Sequence, residues 1–295
     1  DKSIIINSMC DNAIAACNQA KFTYDHDVYI YDDALMSKNQ QNIQITKTMK
    51  QSLMNEDFKV YYQPKYDIQT NKMIGAEALI RWNHPNMGLI MPGAFIECFE
   101  DAGLIYRLDN YIWEEAAKQL KIWKDSGYNY YISVNISAKD FYHIDVYQTF
   151  KNLVSKYGID TDKLHIEITE TALSEDKQAA HKTIERLHDE GFIIEIDDFG
   201  SGYSSFNFLK DVCADVIKID RVFLKKSSHE ERGEQILRSI ISLSHDIGMD
   251  VITEGVENVD QLSMLAKMNC DWFQGYYFSK PITVGDFEEK YGIKA

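Results

Sequence analysis

From residue 58 onward, short β-branched or aromatic runs take turns with longer segments of helical period. The runs are Phe58–Ile68, Met73–Trp82, Tyr130–Ser137, His165–Thr169, Phe192–Asp197, Val216–Asp220, Asp250–Val256 and Trp272–Phe278, which predicts eight strands. Between them, Ile112, Ala116 and Leu120 form one apolar helical stripe, and Ile236, Ile240, Leu243 and Ile247 form another that ends at Gly248. A third helix is expected after Ser174 as N-cap, with Ala180, Ile184 and Leu187 on one face and a stop at Gly191. Parallel neighbours need long crossovers, and helices supply them. The alternation therefore predicts an α/β fold, a TIM-like (β/α)8 barrel. Only Gln69–Lys72 separate the first two strands, too short for a crossover, so that pair is expected to run antiparallel.

Side chains two apart on a strand share a face. Glu77 and Arg81 oppose Ala76, Ala78 and Ile80; Ser133, Asn135 and Ser137 oppose Val134 and Ile136. The same sorting sets His165 and Glu167, Glu195 and Asp197, and Lys218 and Asp220 against isoleucines. The apolar face belongs against the helices, which leaves the polar set to line the interior and the C-terminal mouth, where barrels of this kind carry their active sites. One acidic strand end is commonly a helix cap or a solvated loop group. Here Glu77, Asn135, Glu167, Asp197, Lys218, Glu254 and Gln274 mark seven separate runs.

Crowding Glu77, Glu167, Asp197, Asp198 and Glu254 around Lys218 would leave about four uncompensated charges, with each pair ~4 Å apart repelling by roughly 4 kcal/mol at an effective dielectric of 20. Two divalent cations would cancel that excess, and oxygen ligands with one Asn favour Mg2+ or Mn2+ over zinc. Consecutive carboxylates such as Asp197-Asp198 can touch two ions about 3.5–4 Å apart. The segment that follows, Phe199-Gly200-Ser201-Gly202-Tyr203-Ser204-Ser205, reads as a glycine-bearing loop able to move or to offer N–H groups to phosphate. His165 reads as a satisfied interior histidine.

A formal charge of −15 argues against DNA or RNA polymers as partners, because phosphate affinity rests on Lys and Arg clusters. No apolar stretch approaches the roughly 18 residues of a membrane span, and no secretion pattern opens the chain. Its five cysteines lack a C-x-x-C pair, as expected of reduced thiols in a cytoplasm. The chain starts at Asp1 without an initiator Met and is expected to be a fragment whose upstream regions could anchor it to a membrane. The first 50 or so residues, with helical candidates at Asn12–Lys21 and Asn42–Met54 around a Val28–Ile30 strand, do not read as barrel.

Glu77-Ala78-Leu79-Ile80-Arg81-Trp82 resembles the signature of the EAL domain, the bacterial cyclic di-GMP phosphodiesterase family. The resemblance runs over about residues 45 to 290. It takes in Tyr62-Gln63-Pro64, Val134-Asn135-Ile136-Ser137, Glu167-Ile168-Thr169-Glu170, Asp197-Asp198-Phe199-Gly200, Lys218-Ile219-Asp220, Glu254-Gly255-Val256-Glu257 and Gln274-Gly275-Tyr276. It implies that Glu77, Asn135, Glu167 and Asp197 ligate one metal ion and that Asp197 bridges to a second, held also by Asp198 and Glu254. It further implies that Lys218 meets the attacking water and the scissile phosphate, with Glu77 and Glu254 in the same catalytic set. Gln63 and Arg81 would hold the substrate, Gln274 would order the site, and Glu170 would brace the loop after Asp198.

Ser201 and Lys65 depart from the family's commoner residues, and neither removes a ligand. The intact set implies an enzyme that hydrolyses one 3′–5′ phosphodiester of cyclic di-GMP to linear pGpG with two Mg2+ or Mn2+ ions. A cyclic di-GMP receptor and a barrel acting on another phosphodiester or sugar phosphate are the rival readings. Residues 1–36 resemble the end of a GGDEF domain through Asp11-Asn12-Ala13-Ile14-Ala15-Ala16-Cys17, without the cyclase signature. Residues 37–54 would then be a connecting helix and 55–295 the barrel, with a homodimer expected because family members often pair near the mouth.

Overall fold

The reversal predicted at the start of the barrel comes from a short turn. Strand β1 (Phe58–Asp67) and strand β2 (Met73–His84) pair antiparallel with Gln63 opposite Glu77. The Asp67 carboxylate accepts from the Thr70 amide and hydroxyl, and Asn71 adopts a left-handed φ of 53°, which Asn tolerates better than most residues. The computed structural model describes residues 13–14, 17, 33–174, 178–200, 209–210, 212–224 and 230–294. The predicted Val28–Ile30 strand and the stretch 201–208 after Asp198 lie outside them, as do nearly all of the Asn12–Lys21 helix and the GGDEF-like segment.

Beyond β2 a short hairpin strand, β3 (Gly88–Ile90), folds back on its end. The remaining barrel strands run parallel to one another: β4 (Tyr131–Ile136), β5 (Leu164–Thr169), β6 (Ile194–Phe199), β7 (Val216–Ile219), β8 (Asp250–Thr253) and β9 (Trp272–Gln274). Strand β9 closes on β1, again antiparallel, with Gln274 opposite Lys65. The result is a closed TIM-like α/β barrel of eight strands in which β1 alone is reversed. All eight predicted strands are present. Strand β3 and strand β10 (Ile282–Thr283), which flanks β1, were not predicted; three and two residues are too few for alternation to register.

Helices wrap the outside: α1 (Asp33–Met54), α2 (Ile96–Asp101), α3 (Ile105–Asp125), α4 (Asp140–His143), α5 (Val146–Tyr157), α6 (Glu170–Ser174), α7 (Gln178–Asp189), α8 (Glu230–Asp246), α9 (Val259–Lys267) and α10 (Val284–Tyr291). They cover the outward strand residues, among them Ile132, Val134, Ile166, Ile168, Ile194, Ile196, Ile217 and Ile219, all buried. Each such side chain contributes about 1.5–3 kcal/mol of transfer free energy. The predicted stripes of α3 and α7 are the buried ones. Two helix expectations need correction. Ser174 is itself helical, at the end of the described part of α6, rather than a cap outside a helix; α7 is described from Gln178, and residues 175–177 lie outside the described residues. In α8 the buried face is Leu237, Ile240, Ile241 and Ser244, whereas Ile236 and Ile247 are 44% and 45% exposed. Apolar residues there are numerous enough to support two faces one residue apart, and packing on the barrel selects the one containing small Ser244.

Inside the barrel, the floor is aromatic. Gly75 carries no side chain where a Cβ would lie 2.7 Å from the Tyr131 ring, so that ring can enter the interior. It stacks on His165 with centroids 3.8 Å apart.

Candidate active site

Four strand-end carboxylates converge on one ammonium. Lys218 on β7 is fully buried; its Nζ lies 2.8 Å from Glu254 Oε1, 3.1 Å from Asp197 Oδ1 and 3.6 Å from Glu77 Oε2, and it donates a short hydrogen bond to Glu167 Oε2. Burial works against its charge, but Asp197, Glu167, Glu254 and Glu77 outweigh that and hold its pKa well above the usual lysine value. Burial pushes the Glu77 carboxyl up, and Glu167 adds to the effect. Both Glu77 oxygens accept amide hydrogen bonds, Oε1 from Asn135 Nδ2 at 2.9 Å and Oε2 from Gln274 Nε2 at 2.7 Å. The same Gln274 nitrogen reaches Gln63 Oε1 at 3.1 Å, while Gln274 Oε1 is buried without a hydrogen-bond partner.

Adjacent strand residues ordinarily point to opposite faces, so Asp197 and Asp198 need a local device to act together. The register between β6 and β7 shifts between Ile196 and Phe199, and Asp198 takes a left-handed φ of 55°. A bulge of this kind re-aims a side chain. Ligand oxygens of Asp197, Asp198 and Glu254 consequently lie within 4.8 Å of one another. Burial raises the Asp197 carboxyl to about 7, with Lys218 opposing and Glu167, Glu254 and Asp198 reinforcing the rise. Glu254 is raised for the same first reason. A cluster of oxygen donors that resists carrying its own negative charge fits a hard divalent cation.

Beneath this layer lies a second lysine. Lys65 on β1 is fully buried and ion-pairs with Glu167 Oε1 at 2.7 Å and Glu195 Oε2 at 2.6 Å. Burial would raise the Glu167 carboxyl, but Lys218 and Lys65 together bring it below the ordinary value. Charge counting by sequence missed Lys65, although Glu195 offsets it and the predicted excess of about four negative charges is unchanged. His165 is satisfied as expected, with Nδ1 2.7 Å from Glu195 Oε1 and Nε2 3.2 Å from the Asp162 carbonyl.

Two cavities meet at Leu79, Asp197 and Asp198. One, of about 350 Å³, is lined by Gln63, Glu77, Glu254 and Gln274; the other, of about 680 Å³, runs past Asn135 and Ser137 toward α3. Arg221 lines the first cavity and was not singled out in the sequence. Arg81 does not line either one: its half-buried guanidinium donates to the Ile80 carbonyl at 2.7 Å and lies 5.7 Å from the Tyr61 ring. Glu170 is buried at the start of α6, and the loop it was expected to brace falls largely outside the described residues. The second cavity also touches Asp109, whose carboxyl burial raises well above the ordinary value; Asp140, beside it, is raised to about 6, also chiefly by burial. Neither was picked out by strand-end reasoning, because one sits on a helix and the other starts one.

Gly275 lets the ends of β8 and β9 close on this site. An ideal Cβ there would lie 2.1 Å from the Val256 carbonyl oxygen, a backbone atom that cannot move aside. The Val256 amide donates to the Gln274 carbonyl at 3.1 Å, tying the segment after Glu254 to the segment after Gln274.

Comparison with known proteins gives the family of the chain. The EAL domain pattern matches residues 46–281. The signaling protein YkoW of Bacillus subtilis is 35% identical over 92% of the chain, and the bifunctional diguanylate cyclase/cyclic di-GMP phosphodiesterase MucR of Pseudomonas aeruginosa is 33% identical over 92%. The chain spans 33% and 40% of the length of those two relatives. The cyclic di-GMP phosphodiesterase NbdA of Pseudomonas aeruginosa is 30% identical over 94% of the chain and is spanned over 36% of its length. Among solved structures, the PaMucR phosphodiesterase in complex with c-di-GMP superposes with a TM-score of 0.78 at 33% identity, covering 83% of this chain and 99% of that one. With its barrel, its signature glutamate and its strand-end carboxylates in place, this chain belongs to the EAL domain family.

Proposed function

We propose that the chain is a metal-dependent phosphodiesterase that hydrolyses cyclic di-GMP to linear pGpG. The observation that carries this reading is the oxygen cluster of Asp197, Asp198 and Glu254 beside a buried Lys218 at the mouth of the barrel. Similarity to proteins named as cyclic di-GMP phosphodiesterases, and to a structure that holds c-di-GMP, supports the substrate. In the proposed reaction, water oxygen bonds to phosphorus as one P–O3′ bond breaks, leaving a 5′-phosphate and a free 3′-hydroxyl.

Glu77, Asn135, Glu167 and Asp197 would hold one Mg2+ or Mn2+, and Asp197 would share a second with Asp198 and Glu254. Cations bound there supply charge neutralisation at the phosphoryl oxygens and acidify the attacking water. Lys218, which the surrounding carboxylates hold well above the usual lysine value in the metal-free site, would act as a positive donor to developing charge. Gln63 and Gln274, hydrogen-bonded to each other, would orient phosphate oxygens and water, and Arg81 would turn toward the nucleotide. Glu170 would steady the segment that follows Asp198. No described helix is long and apolar enough to cross a membrane. Cys17, Cys213 and Cys270 are free, which suits the cytoplasmic location included in the proposal; a homodimer is included with it.

Chromatography of nucleotide products, with Mg2+ or Mn2+ and with chelator, tests the assignment. Metal-dependent appearance of pGpG is expected. Cyclic di-GMP that is bound yet uncleaved at saturating metal would show a receptor instead, and faster cleavage of linear dinucleotides or cyclic AMP would show a different substrate.

A further inference from the structure

The lower lysine is connected to both the floor and the site. Tyr131 stacks on His165, His165 contacts Glu195 Oε1, and Glu195 Oε2 meets Lys65. Lys65 then reaches Glu167 Oε1, while Glu167 Oε2 faces Lys218 and the mouth. Strand β1 lies across the barrel from β5 and β6, so only a long cationic side chain on it can span the interior to both glutamates. Lys65 is fully buried and lines neither cavity at the mouth, so it does not reach substrate.

Resting on the proposed function of the site, we infer that Lys65 is a positioning residue: anchored through Glu195 and His165, it clamps Glu167 by Oε1 and leaves Oε2 as the oxygen offered to a cation. Without that anchor Glu167 is held only through Oε2 by Lys218, and Oε1 is left to turn toward the mouth. Partners that orient metal-binding side chains are worth about 10–100-fold in metal affinity. The competing account makes Lys65 merely the counter-ion of Glu195. A buried pair of that sort contributes little and can be replaced by uncharged groups at small cost.

Three variants separate the two accounts by Mn2+ titration calorimetry and thermal melting, neither of which depends on turnover. Lys65→Met leaves Glu195 buried without its cation and should lower both melting temperature and Mn2+ affinity. Glu195→Gln should bind Mn2+ within about threefold of wild type, because the amide oxygen can still accept from Lys65 and the Lys65–Glu167 contact survives. The double variant Lys65→Met/Glu195→Gln removes one charge of each sign, so the net field at the mouth is kept and no orphan carboxylate remains beside His165. Its melting temperature should recover part of the loss, Glu167 Oε1 remaining without its donor, while Mn2+ affinity stays about tenfold or more below wild type. Wild-type affinity in the double variant would overturn the inference. Should that protein fail to fold, Lys65→Gln/Glu195→Gln, whose amide keeps polarity but falls short of Glu167, is read by the same criterion. Failure of wild type to cleave cyclic di-GMP would sink the proposed function and leave this result standing.

Discussion

Lys218 is the residue on which the site's electrostatics turn, because it is the cation shared by Glu77, Glu167, Asp197 and Glu254. Those carboxylates hold its pKa well above the usual lysine value, so it brings positive charge to the metal-free site. Lys218→Ala should therefore lower kcat by about 10²–10³ at saturating Mg2+, the loss typical of one donor to a developing oxyanion, with KM little changed. Steady-state kinetics check this. A variant with normal kcat and a raised KM would assign Lys218 to ground-state binding instead. The metal-free variant, in contrast, should be less stable, since four carboxylates would share a dry interior without their ammonium.

Among the elements, β6 does the unusual work. Its bulge turns two consecutive aspartates toward one point, at the expense of a left-handed residue at Asp198. Asn and Asp visit that conformation more readily than branched or apolar residues do. Asp198→Asn should accordingly melt close to wild type yet bind Mn2+ more weakly, by about tenfold, through the lost charge. Asp198→Ala should lose the same affinity and a further ~1 kcal/mol of stability from backbone strain. Parallel melting and calorimetry on the pair separate charge from conformation; equal melting temperatures would remove the strain argument. The opposite case is α8, where the chain's apolar residues left two faces open and the barrel chose Leu237, Ile240 and Ile241.

At the scale of the whole molecule, a barrel interior that gathers acids links stability to both protons and metal. The folded state holds the Asp197 carboxyl at about 7, far above an unfolded aspartate, so between about pH 4 and 7 the folded chain binds more protons than the unfolded one. Stability of the metal-free protein should thus fall as pH rises through that window, by an amount on the order of a few kcal/mol. Divalent metal replaces the proton, so Mg2+ should raise the melting temperature far more at pH 8 than at pH 5. Melting curves with chelator and with Mg2+ at the two pH values check the sign; an equal metal effect at both would mean that the cluster does not bind the ion as carboxylates.

Much of this molecule follows from local pattern. Two-residue alternation sorts Glu77 from Ala76 and Ala78, or Glu167 from Ile166 and Ile168, wherever the strand ends up, and the four residues Gln69–Lys72 are too short for any but an antiparallel link. Strands, helices, the reversed β1 and the polar interior were legible for that reason. Contacts between strands distant in the chain were not. Lys65 looked like a departure from a family pattern until closure of the barrel brought it to Glu167 and Glu195, 102 and 130 residues away. The bulge at Asp198, the face of α8 and the raised carboxyls of Asp109 and Asp140 belong to the same class. Each depends on which neighbour crowds a group, or which charge it is buried beside, and tertiary packing alone decides that.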